Sequence, residues 1–170
     1  MSGQKDNTVW FEDYDEDFEL LTGSRTLGET DIVLFASFVG LHEGLFLSEV
    51  DAAAYPFRRR VAPGIMTIAY CEGLVAQSGL FRGAGLIFLG IKESRAIAPV
   101  LMGDTIRVRI SFVEKKAYPE KGRGAVTYRH DVINQRGETV MVYKVSRMIA
   151  TRAGGAGLKT WLPQHEAARV

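Results

Sequence analysis

The run Val61–Gly79, VAPGIMTIAYCEGLVAQSG, is apolar almost throughout and carries one charged residue, Glu72. The spacing predicts a long helix that opens at Pro63-Gly64. Ile65, Ile68, Ala69 and Ala76 recur at helical intervals, with Glu72 on the same stripe. A helix that is apolar nearly all round has to be covered on more than one side. An unpaired carboxylate on such a helix costs several kcal/mol or stays protonated, so Glu72 needs either a partner or a task. The Pro-Gly start leaves backbone N–H groups free, and these can hold a developing anion. The segment therefore points to a site that stabilises an oxyanion, with an ionisable group one or two turns deeper.

What covers the helix follows it in the chain. After Gly79 the pattern changes from helical to alternating. Leu86–Ile91 reads as a first strand. In Thr105–Lys115 the side chains Ile106, Val108, Ile110 and Phe112 take one face, and Arg107, Arg109 and Ser111 the other. Gly124–Asn134 and Glu138–Ala150 read as two more strands, separated by turns at Tyr118–Gly122 and Asn134–Gly137. Ahead of the long helix, Arg25–Val39 reads as a first helical region with Ile32, Phe35, Ala36 and Val39 as its apolar face. A glycine-bounded loop, GLHEG, follows it. Ser48-Glu-Val-Asp51 fits a cap that opens a short helix through Ala54, ended by Tyr55-Pro56. Residues 1–8 are expected to be loose, and the Gly-rich tail after Thr151 to extend away from the core. One long apolar helix followed by antiparallel strands implies an α+β fold, a curved sheet wrapped around the helix. A second copy pairing edge to edge is the simple way to complete the cover.

At 170 residues and 46% hydrophobic, the chain supports one domain, expected over 1–150, with 151–170 as a tail. Lys plus Arg is 21 and Asp plus Glu is 20, a net charge of +1 that gives no footprint for nucleic acid or a membrane surface. The single Cys71 has no partner for an intrachain disulfide, which suits a reducing cytoplasm. No run has the length and apolarity of a transmembrane helix, and the acidic N-terminal stretch does not look like a signal peptide. His42, His130 and His165 lack metal-ligand spacing, so no metal is expected.

Five segments, in order, carry a resemblance. Phe11-Glu-Asp13 resembles an opening FED, and Arg25-Thr26 with Glu29, Asp31-Ile32 and Phe35-Ala36 an R-T-x-x-E-x-D-I-x-x-F-A segment. Arg60–Gly64 is similar to an R-[IV]-A-H-G helix start, Pro99–Thr105 to P-V-x-x-G-D-T, and Asn134–Glu138 to an N-Q-x-G-E hairpin. Together they resemble the MaoC-like dehydratases, hot-dog-fold enzymes that include the R-specific enoyl-CoA hydratases. The resemblance implies a hot-dog fold that pairs into a homodimer or higher oligomer. It implies a hydro-lyase that adds or removes water at an enoyl thioester, with coenzyme A as part of the substrate and no separate cofactor. The catalytic loop departs from the family. Its T-G-D-x-N-P-x-H pattern meets Val39-Gly-Leu-His-Glu-Gly-Leu-Phe46, so the Asp position falls on Leu41 and the His position on Phe46. The family's helix-start His falls on Pro63. The following Gly, whose amide faces the thioester oxygen, falls on Gly64.

Hydration needs a base for water, an acid for the α carbon and donors for the enolate oxygen. A positioned acid or base contributes roughly 100- to 10,000-fold, and one oxyanion donor about 3 kcal/mol. Gly64 is the candidate donor. His42, Glu43 and Glu72 are the candidates for a displaced acid–base set, and Arg58, Arg59 and Arg60 for contacts to coenzyme A phosphates. Structural roles compete for each: a backbone-bonded His42, a solvated Glu43, Glu72 in an ion pair with an arginine, a solvated arginine loop. Two further functions compete with the hydro-lyase. One is a hot-dog thioesterase in which Glu72 activates water. The other is a non-catalytic thioester-binding subunit, which the loss of both dyad positions favours.

Overall fold

The computed structural model describes residues 8–158. Six strands form one antiparallel sheet: β1 (Glu19–Leu21), β2 (Arg25–Thr26), β3 (Gly85–Ala96), β4 (Thr105–Tyr118), β5 (Arg123–Ile133) and β6 (Thr139–Ala150). Their order is β1-β4-β5-β6-β3, with β2 also paired to β4. Strands β4, β5 and β6 form a meander whose two turns place Gly122 at φ 58° and Gly137 at φ 80°. Glycine adopts this left-handed region without the Cβ clash other residues meet. The described residues also form the α-helices α1 (Glu29–Val39), α2 (Gly44–Leu47), α3 (Glu49–Ala52), α4 (Gly64–Gln77) and α5 (Arg152–Leu158).

Alternation decides which side chains meet α4. In register across the sheet, Ile110 faces His130 and His130 faces Tyr143; one pair along, Phe112 faces Tyr128 and Tyr128 faces Val145. This face is the core, and α4 adds Met66, Cys71, Leu74 and Val75 to it. Each large apolar side chain buried here contributes about 1.5–3 kcal/mol relative to exposure. The expected faces of β4 hold, with Ile106, Val108 and Ile110 fully buried and Arg107 and Arg109 exposed.

The phase of α4 differs from expectation. Its buried stripe is Met66, Thr67, Cys71, Leu74 and Val75, whereas Ile65 is 62% exposed and Ala69 and Ala76 are exposed. A helix with apolar residues on every side carries no periodic signal strong enough to fix its rotation. The first helical region also starts later than expected. Arg25 and Thr26 pair with Ile106 and Thr105 as β2, and α1 begins after Gly28, whose N–H donates to the Asp31 carboxylate at 2.9 Å. Strand β3 runs on to Ala96, beyond the expected Ile91. The GLHEG loop gives way at Gly44 to the short helix α2. The Ser48 cap forms, accepting from the Asp51 N–H at 3.1 Å, although α3 ends at Ala52.

The segment just after Thr151 does not extend away from the core. Helix α5 docks with Gly154 against the Gly122 backbone and Gly155 against the Trp10 ring, contacts that leave no room for a side chain at either glycine. Arg152 pairs with Asp13, and its N–H donates to Glu12 at 3.1 Å. The rest of the expected tail, and residues 1–7, lie outside the described residues. Among the described residues no helix is long and apolar enough to cross a membrane.

Candidate active site

The start of α4 is built from two chain segments. The Ala62 N–H donates to the Val100 carbonyl at 2.8 Å, and Val61 bridges Leu101. The stretch before the helix is thereby laid beside the stretch before β4. Pro63, extended at φ −53° and ψ 137°, turns the chain into the helix. The first intrahelical bond runs from the Thr67 N–H to the Pro63 carbonyl at 3.0 Å. The Gly64, Ile65 and Met66 amides thus have no intrahelical acceptor, as at any helix start. Among the described residues no group accepts from the Gly64 N–H.

Gly64 opens on a cavity of about 280 Å³. Its walls are Val61, Ala62 and Thr67 from the helix side and Ala96, Ala98 and Val100 from the strand side. Met141 reaches in from β6, and Phe57 lies at the arginine-bearing loop. None of the lining side chains is ionisable. The sequence signal for most of these residues was present but ordinary: small and branched apolar residues on either side of two of the resembling motifs. Met141 had none, because only the sheet register brings it opposite Ala96.

The candidate acid–base groups do not gather at this cavity. Glu72 lies eight residues along α4, about 12 Å down the helix axis at 1.5 Å per residue. Its carboxylate accepts from Arg147 Nη2 at 2.5 Å and from the Tyr143 hydroxyl at 3.0 Å, and the buried His130 Nδ1 lies 3.1 Å away. Burial pushes the Glu72 pKa up, but His130 and Arg147 more than offset it and hold the carboxyl below the usual range. Arg147 in turn stacks over Phe81, 4.3 Å from the ring centre. Glu72 is therefore a fixed anion in an ion pair with a strand arginine, out of reach of a carbonyl at Gly64. Within one protomer this separates Glu72 from the Gly64 cavity, beside which the acid–base set had placed it. Neighbouring Cys71 is buried, and burial with the Glu72 charge pushes its thiol up to about 12, which keeps it an inert core residue.

His42 and Glu43 are exposed in the turn between α1 and α2, and neither lines the cavity. Their side chains make no hydrogen bond or ion pair among the described residues. Of the dyad positions, Leu41 is half-buried and Phe46 packs against the core. Arg60 needs a second correction. Its side chain is 7% exposed, with Nε bound to Glu49 and Nη2 to Glu29 at 2.7 Å each, so it ties α1 and α3 together and its charge is already matched by two carboxylates. Arg58 and Arg59 are exposed beside Phe57, with Arg58 at φ 51°. Among the described residues, no three His, Cys, Asp or Glu side chains cluster as a metal site would need.

The chain is 36% identical over 106 residues to the protein MaoC of Klebsiella aerogenes, covering 62% of this chain and 31% of that protein. It is 34% identical over 89 residues to the 3-hydroxyacyl-thioester dehydratase Z of Mycobacterium tuberculosis, covering 52% of this chain and 59% of that protein. The chain thus spans less than two thirds of the length of both curated relatives. Among solved structures it superposes on the monoamine oxidase regulatory protein of Archaeoglobus with a TM-score of 0.79 and 32% identity, covering 85% of this chain and 95% of that one. The antiparallel sheet packed on one long helix is the hot-dog fold. The model of the MaoC-like domain matches residues 15–134, and the chain belongs to that family, the MaoC-like dehydratases and hydratases.

Proposed function

We propose that this protein binds an acyl thioester of the kind on which MaoC-like dehydratases act, and holds its carbonyl on the Gly64 amide without the family's proton-transfer pair. The observation that carries this reading is the pairing of a free helix-start N–H with a cavity that has no ionisable wall. A hydrogen bond from Gly64 and the adjoining helix dipole would polarise the carbonyl. Among the described residues no acid or base lines the cavity, where proton transfer would need one within ~3 Å. Exposed Arg58 and Arg59, next to Phe57 at the cavity, suit the phosphates of coenzyme A. A second copy of the chain, paired along the open edge of β3, would cover the exposed Ile65 side of α4.

A second reading, hydration through a displaced pair, is favoured by one observation. His42 and Glu43 occupy the loop that carries the family's dyad, and both side chains are uncommitted. One panel separates the two. Crotonyl-CoA, a branched enoyl-CoA and butyryl-CoA are offered to the full chain, with enoyl absorbance, free thiol and binding heat recorded. Binding with absorbance and thiol unchanged is expected. Loss of absorbance without thiol would give the protein to hydration, and its disappearance in His42→Ala or Glu43→Gln would name the group. No binding of any thioester would end the proposal.

A further inference from the structure

We infer that the outer face of the sheet carries a second binding site, for a phosphate group, with Arg107 as its cation. It does not rest on the thioester reading, because this cavity and the one at Gly64 share no lining residue. Three segments meet here: the β1–β2 loop, the start of β4 and the β5–β6 turn. Ile106 is buried in the core, so Thr105 and Arg107 on either side of it take the outer face. The pairing of Arg25 with Ile106 brings Ser24 alongside Arg107, and the pairing of Arg107 with Ile133 brings up Asn134 and Gln135. These residues line a cavity of about 230 Å³.

The walls are held by their own hydrogen bonds, and these use up acceptors faster than donors. The buried Asn134 accepts at Oδ1 from the Arg136 and Glu138 N–H groups, at 2.9 and 3.1 Å, and donates from Nδ2 to the Glu138 carboxylate at 2.8 Å. Gln135 accepts from the Thr105 N–H at 2.9 Å and donates to Asp104 at 2.6 Å. The Thr26 and Thr105 hydroxyls share one hydrogen bond of 2.7 Å, which leaves one of their protons free. The spare capacity is therefore mostly N–H and O–H: that proton, the second amide protons of Asn134 and Gln135, the Ser24 hydroxyl and the Arg107 guanidinium. Neither the Ser24 nor the Arg107 side chain has a hydrogen-bond or ion-pair partner among the described residues. The arginines around it are matched, Arg109 by Glu19, Arg129 by Asp131, and Arg136 by Asp104 and Glu138. Donors gathered about an unmatched guanidinium fit an anion. They come from three segments and not from one plane, which suits the tetrahedral oxygens of a phosphate better than a flat carboxylate. Ser24, Arg107 and Gln135 are exposed, so a group esterified to the phosphate can extend into solvent.

The test is residue-resolved NMR of the full chain near neutral pH, titrated with inorganic phosphate, glycerol 3-phosphate and acetate, against chloride at matched ionic strength. The backbone amide signals of Ser24, Thr105, Arg107 and Gln135 should shift saturably with both phosphates, stay in place with chloride, and respond to acetate only at higher concentration. Arg107→Gln alters an exposed side chain that has no partner, so it should melt as the native chain does. It should bind phosphate at least about tenfold more weakly, the loss of a charge-assisted contact. Ser24→Ala should bind about 2- to 10-fold more weakly, the loss of one neutral hydrogen bond. No shift beyond that in chloride, shifts confined to Arg58 and Arg59, or unchanged affinity in Arg107→Gln each overturns the inference. Acetate binding as tightly as phosphate would overturn the assignment of the anion. The native titration decides alone if a variant does not fold.

Discussion

Glu72 shows how much one side chain's neighbours decide. On a bare helix it would be a candidate base; between Arg147, Tyr143 and His130 it is an anion that pins α4 to β5 and β6. Its side chain is 18% exposed, so the pair is only lightly screened by solvent. Replacing Glu72 by Gln keeps an acceptor for Tyr143 but leaves the Arg147 guanidinium unpaired, at a cost of about 1–3 kcal/mol. The pH dependence follows from the sign of the shift. A carboxyl held below its ordinary value of 4.5 gives stability that is complete above that pH and is lost as the pH falls through the folded value. Thermal melts of the native chain and Glu72→Gln should differ most near neutral pH and converge below pH 4.5. Equal stability at pH 7 would mean the pair is not a tie. The same scale explains what the sequence could and could not say about the site. Motif residues were legible as markers, and most prove to be joints. Arg60 of the helix-start motif binds Glu29 of the second motif. Asp104 accepts from the Leu101 N–H at 2.9 Å and from Gln135 of the hairpin motif at 2.6 Å. Distances between His42, Glu43, Glu72 and Gly64 were not legible, because they depend on how three separate elements dock.

At the scale of elements, alternation gave β4 with its correct faces because it has one wet and one dry side, and the two strands expected after it coincide with β5 and β6. Helix α4 has no such contrast, and its rotation came out wrong: the exposed side holds Ile65, Ala69 and Ala76. Strand β3 ran longer than its apolar core suggested, since Lys92, Ser94 and Arg95 are at home on an open sheet edge. The helix start was legible, and it also offers a clean test. Position N1 of a helix tolerates proline, which lacks the N–H, and Pro63 before it already has the extended backbone that a following proline demands. Gly64→Pro should therefore leave the melt within a few degrees of native while weakening acyl-CoA binding about 3- to 12-fold, the worth of one ordinary hydrogen bond. Gly64→Ala keeps the donor and adds a methyl group in ordinary contact with Met141, so it should bind within about twofold of native. Calorimetric titration of the pair checks this, and equal affinities for the two variants would remove the amide from the account.

As a whole molecule, one protomer leaves an unfinished surface. β3 is an edge strand of 12 residues, and Ile87, Phe88, Leu89 and Ile91 are all at least 36% exposed. Open, apolar edges of that length pair with another chain or aggregate. The expected outcome is a two-fold dimer in sedimentation at micromolar concentration, with Leu89→Lys shifting it toward monomer; a native chain that sediments as a monomer at every concentration would contradict the pairing. In the proposed function, a thioester carbonyl is held at Gly64 by a backbone N–H in an apolar cavity. Isotope-edited infrared spectroscopy of butyryl-CoA labelled with ¹³C at the carbonyl reads that contact directly. The thioester carbonyl stretch should move to lower frequency on binding and return toward its free position in Gly64→Pro. A bound ligand whose carbonyl band stays at its solution frequency, or moves equally in both proteins, would contradict it.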